Sequence, residues 1–327
     1  MASEAAQARF QSALAPLVDQ FVREKRACGY RYCEAARMLA GFDRFLSDQA
    51  LPPGALPWSI TGEWLAKRPH ESANTHRNRI SVVRQFTQFL CRQDYRADVP
   101  EQLLGAKQDA EYSPRILTRA EVGKLLRAAD QLTPTSRFPL RHLIMPEVFR
   151  LLCGCGFRVG EVLHLRLADV DLQQGILTVR DGKFGKDRLV PPAPALVVRL
   201  RKYAEHFGTR PPEAFFFPSP YGGALNIRTV YFLFRTLLLR CGIPHAGRGK
   251  GPRVHDLRHG FAVHTLLRWY QEGADLEAKL PVLATYLGHR SLAGTQRYLH
   301  LTAELFPEIT ARTNAAFGDV IPRRATP

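Results

Sequence analysis

Hydrophobic residues in the first third of the chain recur at the spacing of buried helical faces. The pattern, with apolar positions three or four residues apart, runs through residues 14–22, 35–46 and 82–90. Between the second and third of these, the segment LPPGALP at 51–57 interrupts the pattern with three prolines and a glycine, which favour a turn over a helix. The sequence therefore predicts a small bundle of helices in this region.

A polar stretch without periodicity, near residues 105–115, marks a domain boundary. We therefore expect one domain at 1–112 and a second at 113–327. Directly after the boundary, Thr118 and Glu121 have the spacing of a capping box, which indicates the start of a new helix.

The second domain is predicted to be helical with one β-hairpin. Helices are expected at about 119–130 and 143–154, and further helices follow the hairpin. The hairpin, at about 175–191, is indicated by alternating apolar and polar side chains and by the turn pair Asp181-Gly182. The whole chain is therefore expected to be mainly α with a small β-sheet: an N-terminal helical domain and a C-terminal mixed α/β domain.

The charge of the protein points to a polyanionic partner. Lys and Arg number 46 against 30 acidic residues, which gives a net charge of +16. Residues 113–327 carry 31 basic and 17 acidic side chains, and no acid lies between Glu213 and Asp256. Such an excess favours nucleic acid or an acidic membrane surface. Because a face exposed only to solvent usually mixes both signs, we expect phosphate contacts in the acid-free stretch.

Other features of the sequence narrow the cellular setting. No apolar run is long enough to span a bilayer, and the N-terminus MASEAAQARF lacks the basic and apolar segments of a secretory signal. The six cysteines form no C-x-x-C pair, which is typical of reduced thiols inside a cell. We therefore expect a cytoplasmic protein without a membrane partner, associated with the nucleoid when it acts.

Four short segments of the second domain carry side chains of the types used in catalysis. They are CGFRVGE at 155–161, DGKFGKDRLVP at 181–191, HDLRH at 255–259 and LGH at 287–289, the last followed by Tyr298. In this order and spacing they resemble the tyrosine recombinase (phage integrase) family, and the resemblance spans essentially the whole region from residue 113 to about 305. The helices of the first domain resemble, less specifically, the family's SAM-like core-binding domain.

The resemblance implies that DNA strands are cleaved and rejoined without a metal, ATP or another cofactor. This chemistry needs a nucleophile, cations for the negative transition state and an acid for the leaving alkoxide. The resemblance implies that Tyr298 is the nucleophile, through a 3′-phosphotyrosyl link, and that Lys183 is the general acid for the 5′-hydroxyl. The remaining expected site residues are Arg158, Arg258 and His289, which would bind and activate the phosphate, His255, a base or further phosphate ligand, and Glu161, which would orient an arginine or a histidine.

Several basic residues outside this set are candidate DNA contacts. They are Arg77, Arg84, Lys186, Arg248, Lys250, Arg253 and Arg290. Lys186 is also an alternative to Lys183 as the acid, but Gly182-Lys183 resembles the family's catalytic position, and the resemblance therefore favours Lys183. Exchange between two duplexes needs four cleavages, so the resemblance implies a homotetramer on two double-stranded recombination sites, with accessory recombinases or helper proteins as further partners. The segment from Leu301 onward could pack on its own protomer or dock on a neighbouring one, and the resemblance favours the neighbour.

Three other functions fit parts of the sequence. His255 and His259 lie four residues apart, as on the helix of a metal hydrolase, but the motif lacks a Glu after the first His, and Arg258 would lie beside the metal. A type IB topoisomerase shares the chemistry but relaxes DNA instead of exchanging strands. A non-catalytic DNA-binding protein of the same fold would not need Tyr298. Metal analysis, a paired-site recombination assay and covalent trapping on DNA separate these alternatives.

Overall fold

The computed structural model describes residues 10–101, 114–182, 185–245, 247, 251–289, 291–296 and 298. The chain divides into two units, Met1–Tyr112 and Ser113–Pro327, and each has an apolar core of its own. Helices predominate and the sheets are small, which confirms the predicted fold class. Among the helices described, none has both the length and the apolar character needed to cross a membrane.

The described part of the first unit contains helices α1–α4 and two short strands. Their bounds are α1 Ala15–Ala27, α2 Cys33–Ser47, β1 Ala55–Leu56, α3 Trp58–Leu65, α4 Ala73–Arg92 and β2 Arg96–Ala97. The three predicted apolar faces are the buried faces of α1, α2 and α4. The parallel pairing of β1 with β2 was not predicted, because strands of two residues are too short to show a period.

Aromatic packing and one buried ion pair hold the first unit together. The ring centroid of Phe21 on α1 lies 5.6 Å from that of Phe86 and 5.3 Å from that of Phe89, both on α4. The buried guanidinium of Arg79 donates to the Glu71 carboxylate at 2.6 Å, and it also donates to main-chain carbonyl oxygens at the end of α3. Both contacts join α4 to the rest of the bundle.

The second unit has a three-stranded antiparallel sheet among helices in its described part. The elements are α5 Arg119–Asp130, α6 Arg141–Cys155, α7 Val159–Leu163, β3 Val170–Asp171, β4 Ile176–Val179, β5 Arg188–Val190, α8 Pro194–Glu205, α9 Ile227–Arg240, α10 Val254–Gln271, α11 Leu276–Leu287 and α12 Ala293–Gln296. The sheet order is β3-β4-β5, so the predicted hairpin is present as β4 and β5. Strand β3 was not predicted, again because it has only two residues.

Helix α6 forms the centre of this unit, because nine of its fifteen residues are buried. It packs against α5, α8 and α10. Helix α5 begins with the predicted capping box: Thr118 Oγ1 accepts from the Glu121 N–H at 3.2 Å, and Glu121 Oε2 accepts from the Thr118 N–H at 2.9 Å. These reciprocal bonds satisfy two main-chain donors at the start of the helix.

Two helices of this unit end at glycines in the left-handed conformation. Gly156 follows α6 with φ +61°, and Gly288 follows α11 with φ +67°. A Cβ atom at position 156 would lie only 2.5 Å from Cδ1 of Phe261. Glycine is therefore required there both by the backbone conformation and by the lack of space. Each glycine turns the chain sharply just before a predicted site residue, Arg158 or His289.

Replacing Gly156 by alanine should destabilise the protein strongly. The left-handed conformation and the contact with Phe261 together predict a loss of about 2–4 kcal/mol in the free energy of unfolding. Gly160→Ala is the control, because Gly160 lies in α7 and a Cβ atom there would have open space around it. This change should have little effect or stabilise the protein slightly. Thermal and urea unfolding measure both variants, and equal midpoints for the two would contradict the prediction.

Candidate active site

The turn that follows Gly156 places Arg158 beside a half-buried carboxylate. Arg158 precedes the first residue of α7, and Glu161 lies in the first turn of that helix. Glu161 Oε2 accepts from the main-chain N–H of Arg158 at 2.8 Å, while Glu161 Oε1 accepts from the Arg158 guanidinium at 2.7 Å. The carboxylate thus closes the turn and orients the arginine side chain, which also donates to the carbonyl oxygen of Gly288 at 3.2 Å.

Arg258 on α10 is almost completely buried, with 1% of its surface exposed. Its guanidinium donates to the carbonyl oxygen of Gly156 at 2.6 Å and to that of Leu287 at 2.5 Å. Burial and then the positive charge of Arg158 lower the pKa of Arg258 to about 10. The side chain therefore still carries its charge at neutral pH and is fixed in orientation by main-chain atoms.

A third arginine, Arg188 on β5, forms a bidentate pair with Glu161. Its two terminal nitrogens donate to the two carboxylate oxygens at 2.9 and 2.7 Å, and its Nε donates to the carbonyl oxygen of Tyr286 at 2.9 Å. Burial alone would raise the pKa of Glu161, but the hydrogen bonds and charge of Arg188, followed by those of Arg158, lower it to about 2. Glu161 is therefore ionised at neutral pH and compensates two arginines at once.

The last turn of α11 is the place where these arginines meet. Three successive main-chain carbonyl oxygens each accept from a different arginine: Tyr286 from Arg188, Leu287 from Arg258 and Gly288 from Arg158. Carbonyl oxygens at the end of a helix have no partner within the helix and lie at the negative end of its dipole. The arginines therefore satisfy these groups and are held in fixed positions by them.

His289 comes directly after this turn. Its Nδ1 is hydrogen-bonded to the hydroxyl of the buried Thr295 on α12 at 2.7 Å. Burial, followed by the charges of Arg258 and Arg158, lowers the pKa of His289 to about 4. The imidazole is therefore neutral at pH 7 and can act as a hydrogen-bonding group beside the two guanidinium groups.

Tyr298 is buried among histidines, with 2% of its surface exposed. Its hydroxyl group is hydrogen-bonded to Nδ1 of His259 at 3.1 Å. The centroids of the His259 and His289 rings lie 5.4 and 6.0 Å from that of Tyr298. The ring of His255 packs edge-on against that of His259 at 4.7 Å, so the contacts continue from the tyrosine to His255. The fold thus brings together six predicted site residues: Arg158, Glu161, His255, Arg258, His289 and Tyr298.

Of the remaining predicted residues of the second unit, the structure describes two, Lys186 and Arg253. Lys183, Arg248, Lys250 and Arg290 do not lie among the described residues. Lys186 is exposed in the β4–β5 connection, where its carbonyl oxygen accepts from the Gly182 N–H at 3.2 Å. Arg253 is exposed immediately before α10, and its main-chain N–H donates to the Asp256 carboxylate at 2.9 Å.

The two predicted DNA contacts of the first unit, Arg77 and Arg84, lie on α4 and are half-buried. The guanidinium of Arg84 donates to the carbonyl oxygen of Pro100. This bond gives Arg84 a structural role in attaching the segment after β2 to α4. Arg84 is therefore a weaker candidate for DNA contact than its position in the sequence suggested.

The histidine pair considered as a metal site has another arrangement. His255 and His259 lie next to each other on α10, but Nδ1 of His259 faces the Tyr298 hydroxyl. Within the described residues, no group of three or more His, Cys, Asp or Glu side chains is arranged to hold a metal ion. The pair therefore belongs to the tyrosine site.

Sequence reasoning missed Arg188 and Thr295, and it considered His259 only as a metal ligand. No sequence pattern pointed to Arg188, because alternation would place the apolar Leu189 inside. In the structure Leu189 is 61% exposed, whereas Arg188 and Val190 face inward. Thr295 gave no signal either, because its contact with His289 depends on how α12 packs.

Comparison with known proteins decides the family. Residues 115–304 match the phage integrase family, which is more than half of the chain. The chain belongs to this family of tyrosine recombinases. It is 33% identical over 308 residues to the provisionally named integrase/recombinase y4rB of Sinorhizobium fredii, a match that covers 92% of this chain and 97% of that one. It is 32% identical over 248 residues to the tyrosine recombinase XerD of Ralstonia nicotianae, with 74% of each chain covered.

Solved structures of other tyrosine recombinases share the fold of this enzyme. The Tn1549 transposon integrase in complex with transposon right end DNA matches with a TM-score of 0.61 and 18% identity, covering 90% of this chain and 99% of that one. The XerH site-specific recombinase bound to its palindromic difH substrate matches with a TM-score of 0.61 and 19% identity, covering 85% and 78%. At these identities the similarity establishes the recombinase fold.

Replacing Glu161 by glutamine should lower the free energy of unfolding of this tyrosine recombinase at neutral pH and change how that free energy depends on pH. The lowered pKa means that ionised Glu161 contributes stability above the unfolded value near 4.5, and this contribution is lost as the pH falls through about 2. We expect Glu161→Gln to lose about 3 kcal/mol at pH 7 and to show a smaller loss of stability between pH 4.5 and 2.

The control for this variant is Glu272→Gln. Glu272 forms an exposed pair with Arg268 at 3.8 Å, and such pairs contribute less than about 1 kcal/mol. Urea unfolding at a series of pH values measures both variants. An unchanged pH dependence in Glu161→Gln would show that Glu161 is not the carboxylate responsible.

Proposed function

We propose that the protein is a site-specific DNA recombinase that cleaves and rejoins strands through a 3′-phosphotyrosyl intermediate at Tyr298. The observation that carries this proposal is the convergence of one buried phenol, two oriented guanidinium groups and one neutral imidazole. A negative transition state at phosphorus requires such donors in place before the reaction begins. The family of the chain supports the same reaction.

In this proposal Arg158 and Arg258 bind the non-bridging oxygens of the scissile phosphate. Each guanidinium carries five N–H donors in a planar fork, so the bonds that fix its orientation do not exhaust its capacity. His289, neutral at pH 7, supplies a further hydrogen bond to the same phosphate. His255 is the remaining phosphate ligand or base. Together these groups stabilise the charge that develops as the Tyr298 oxygen attacks.

The leaving 5′-oxygen needs a proton, and Lys183 is the proposed general acid. In the sequence Lys183 directly follows Asp181-Gly182, between the residues of β4 and those of β5. Lys186 in the same connection is exposed and is proposed as a DNA contact. Because phosphoryl transfer to a tyrosine preserves the energy of the phosphodiester, the reaction as proposed consumes no ATP and uses no metal.

Both units are proposed to act on double-stranded DNA. The first unit is the core-binding domain, and its Arg77 is a proposed phosphate contact. In the second unit, Arg248, Lys250, Arg253 and Arg290 are the further proposed contacts. Solved relatives in complex with transposon DNA and with the difH substrate support this arrangement. We propose a homotetramer on two recombination sites, in the cytoplasm and at the nucleoid, with accessory recombinases or helper proteins as partners.

Tyr298→Phe should abolish covalent attachment to DNA while leaving DNA binding almost unchanged. Phosphate contacts dominate affinity, whereas the covalent link needs the phenol oxygen. The substrate is a duplex that the protein selects from a random-sequence pool, nicked close to the scissile phosphate and incubated with protein in EDTA. A denaturing gel should show a protein–DNA adduct with the unchanged protein and none with Tyr298→Phe.

Tyr286→Phe is the matched control for this experiment. The Tyr286 ring packs against Phe261 with centroids 5.6 Å apart, and its main-chain carbonyl is kept in the variant. The adduct should therefore form normally. An adduct that survives Tyr298→Phe would overturn the assignment of the nucleophile. Tight DNA binding without any adduct would favour a non-catalytic binder, and relaxation without strand exchange would favour a type IB topoisomerase.

Arg158→Lys and Arg258→Lys should each slow strand cleavage by about 10²–10³-fold at saturating DNA, a loss of about 3–4 kcal/mol. Lysine keeps the positive charge but cannot donate to a carbonyl oxygen and a phosphate through one planar fork. Arg268→Lys is the control on α10, because Arg268 is exposed and pairs loosely with Glu272. Single-turnover cleavage measures the rates, and a reduction of less than about threefold in both arginine variants would contradict the proposed roles.

A further inference from the structure

The phenol of Tyr298 contacts a histidine that the roles given above do not use. His259 directly follows Arg258 on α10, and its Nδ1 lies 3.1 Å from the Tyr298 hydroxyl oxygen. Its ring is half-buried and inclined by 57° to the tyrosine ring, with 5.4 Å between the centroids. We propose that His259 is a catalytic residue of the recombinase: its Nδ1 accepts the hydroxyl proton of Tyr298 during strand cleavage and returns it during rejoining.

The chemistry of the neighbouring groups favours His259 as the acceptor. Arg158 and Arg258 carry N–H donors and no acceptor, so they can stabilise a phenolate but cannot take its proton. His289 uses its Nδ1 for the Thr295 hydroxyl at 2.7 Å. The ring of His255 packs on the His259 ring, and it is His259 that is hydrogen-bonded to the phenol. With His259 as the base, His255 keeps the role of phosphate ligand. Because Tyr298 is almost completely buried, a protein group is better placed than bulk water to receive the proton.

The local structure holds His259 in register with the phosphate-binding groups. Arg258 is fixed by its bonds to Gly156 and Leu287, and His259 is the next residue of the same helix. The edge-on contact of the His255 ring limits rotation of the His259 ring from the other side. The proton acceptor and the main phosphate ligand are therefore positioned by one helix, and a shift of α10 would move both together.

This inference rests on the proposed phosphotyrosyl reaction, in which each bond that forms is matched by one that breaks. The Tyr298 Oη–phosphorus bond forms while the bond between phosphorus and the 5′-oxygen breaks. The phenol proton moves to Nδ1 of His259, whose Nε2 already carries the other proton of the neutral ring. The leaving 5′-oxygen keeps the electron pair of the broken bond and takes a proton from the general acid, proposed to be Lys183. Rejoining reverses each transfer.

His259→Asn tests this role, because the amide keeps a hydrogen-bonding group near the Nδ1 position but cannot accept a proton at neutral pH. The probe is the nicked duplex selected by the protein, prepared with either the natural 5′-oxygen or a 5′-bridging sulfur at the scissile phosphate. A thiolate leaves without an acid, so the sulfur substrate removes the need for the general acid alone. We expect His259→Asn to slow cleavage about 10²–10⁴-fold on both substrates, whereas Lys183→Ala should recover on the sulfur substrate.

His264→Asn is the matched control on the same helix. Nε2 of His264 is hydrogen-bonded to the Leu117 carbonyl oxygen at 2.8 Å, and we expect this variant to cleave at nearly the rate of the unchanged protein. DNA affinity and thermal midpoint are measured for each variant, so that a folding defect is recognised. A His259→Asn rate within about threefold of the unchanged protein would overturn the proposal. A defect that disappears on the sulfur substrate would do the same, because it would assign His259 to the leaving group.

A measurement without DNA tests the hydrogen bond itself. In protein labelled with ¹⁵N-histidine, Tyr298→Phe should shift the ring-nitrogen resonances of His259, assigned through His259→Asn, and leave those of His264 in place. An unshifted His259 signal would overturn the contact on which the proposal stands.

The two proposals can fail separately. Loss of the adduct in Tyr298→Phe together with normal cleavage by His259→Asn would leave the proposed function intact and refute the role of His259. An adduct that survives Tyr298→Phe would refute the proposed nucleophile and with it the proton transfer to His259.

Discussion

The active site depends on one half-buried carboxylate, that of Glu161. Three arginines are held close together around the end of α11, and their mutual repulsion would be costly away from water. Glu161 pairs with two of them, Arg158 and Arg188, through both of its oxygens. It therefore provides the compensating charge that allows these positive side chains to lie close together. The pKa of Glu161 is lowered because the two arginines stabilise its ionised form, and this interaction contributes to the stability of the folded protein.

Main-chain carbonyl oxygens also hold the three arginines in place. Helix α11 ends at Gly288, and its last carbonyl oxygens lie at the negative end of the helix dipole. Arginine side chains from three separate elements bind these oxygens, so the hairpin strand β5, the start of α7 and the N-terminal part of α10 are all joined at one turn. His289 is the next residue, and its position follows from the same contacts. A single helix end thus organises groups that are far apart in the sequence.

The sequence predicted the fold class and the family better than it predicted the contacts. The apolar faces of α1, α2 and α4 and the capping box at Thr118 depend on local spacing, which is readable from the chain. Motif spacing also identified the residues that converge on Tyr298. The pairing of Arg188 with Glu161 joins residues 27 positions apart, and no periodic pattern encodes such a pair. The same limit explains why His259 was considered only within the disfavoured metal-site alternative: its orientation is set by the packing of Tyr298 against α10.

Some groups of the site orient the arginines, and another holds Tyr298. A bond to Glu161 fixes the orientation of Arg158, and bonds to carbonyl oxygens fix that of Arg258. In the proposed reaction these cations therefore need little reorganisation when a phosphate binds. Electrostatic stabilisation is most effective when the charged groups are already in place. Tyr298 is attached to the same framework by a hydrogen bond to His259, the neighbour of Arg258 on α10. The proposed nucleophile and the proposed phosphate ligands therefore share one support. Their relative placement is maintained by helix α10 and the end of α11, so that it does not have to be created when DNA approaches.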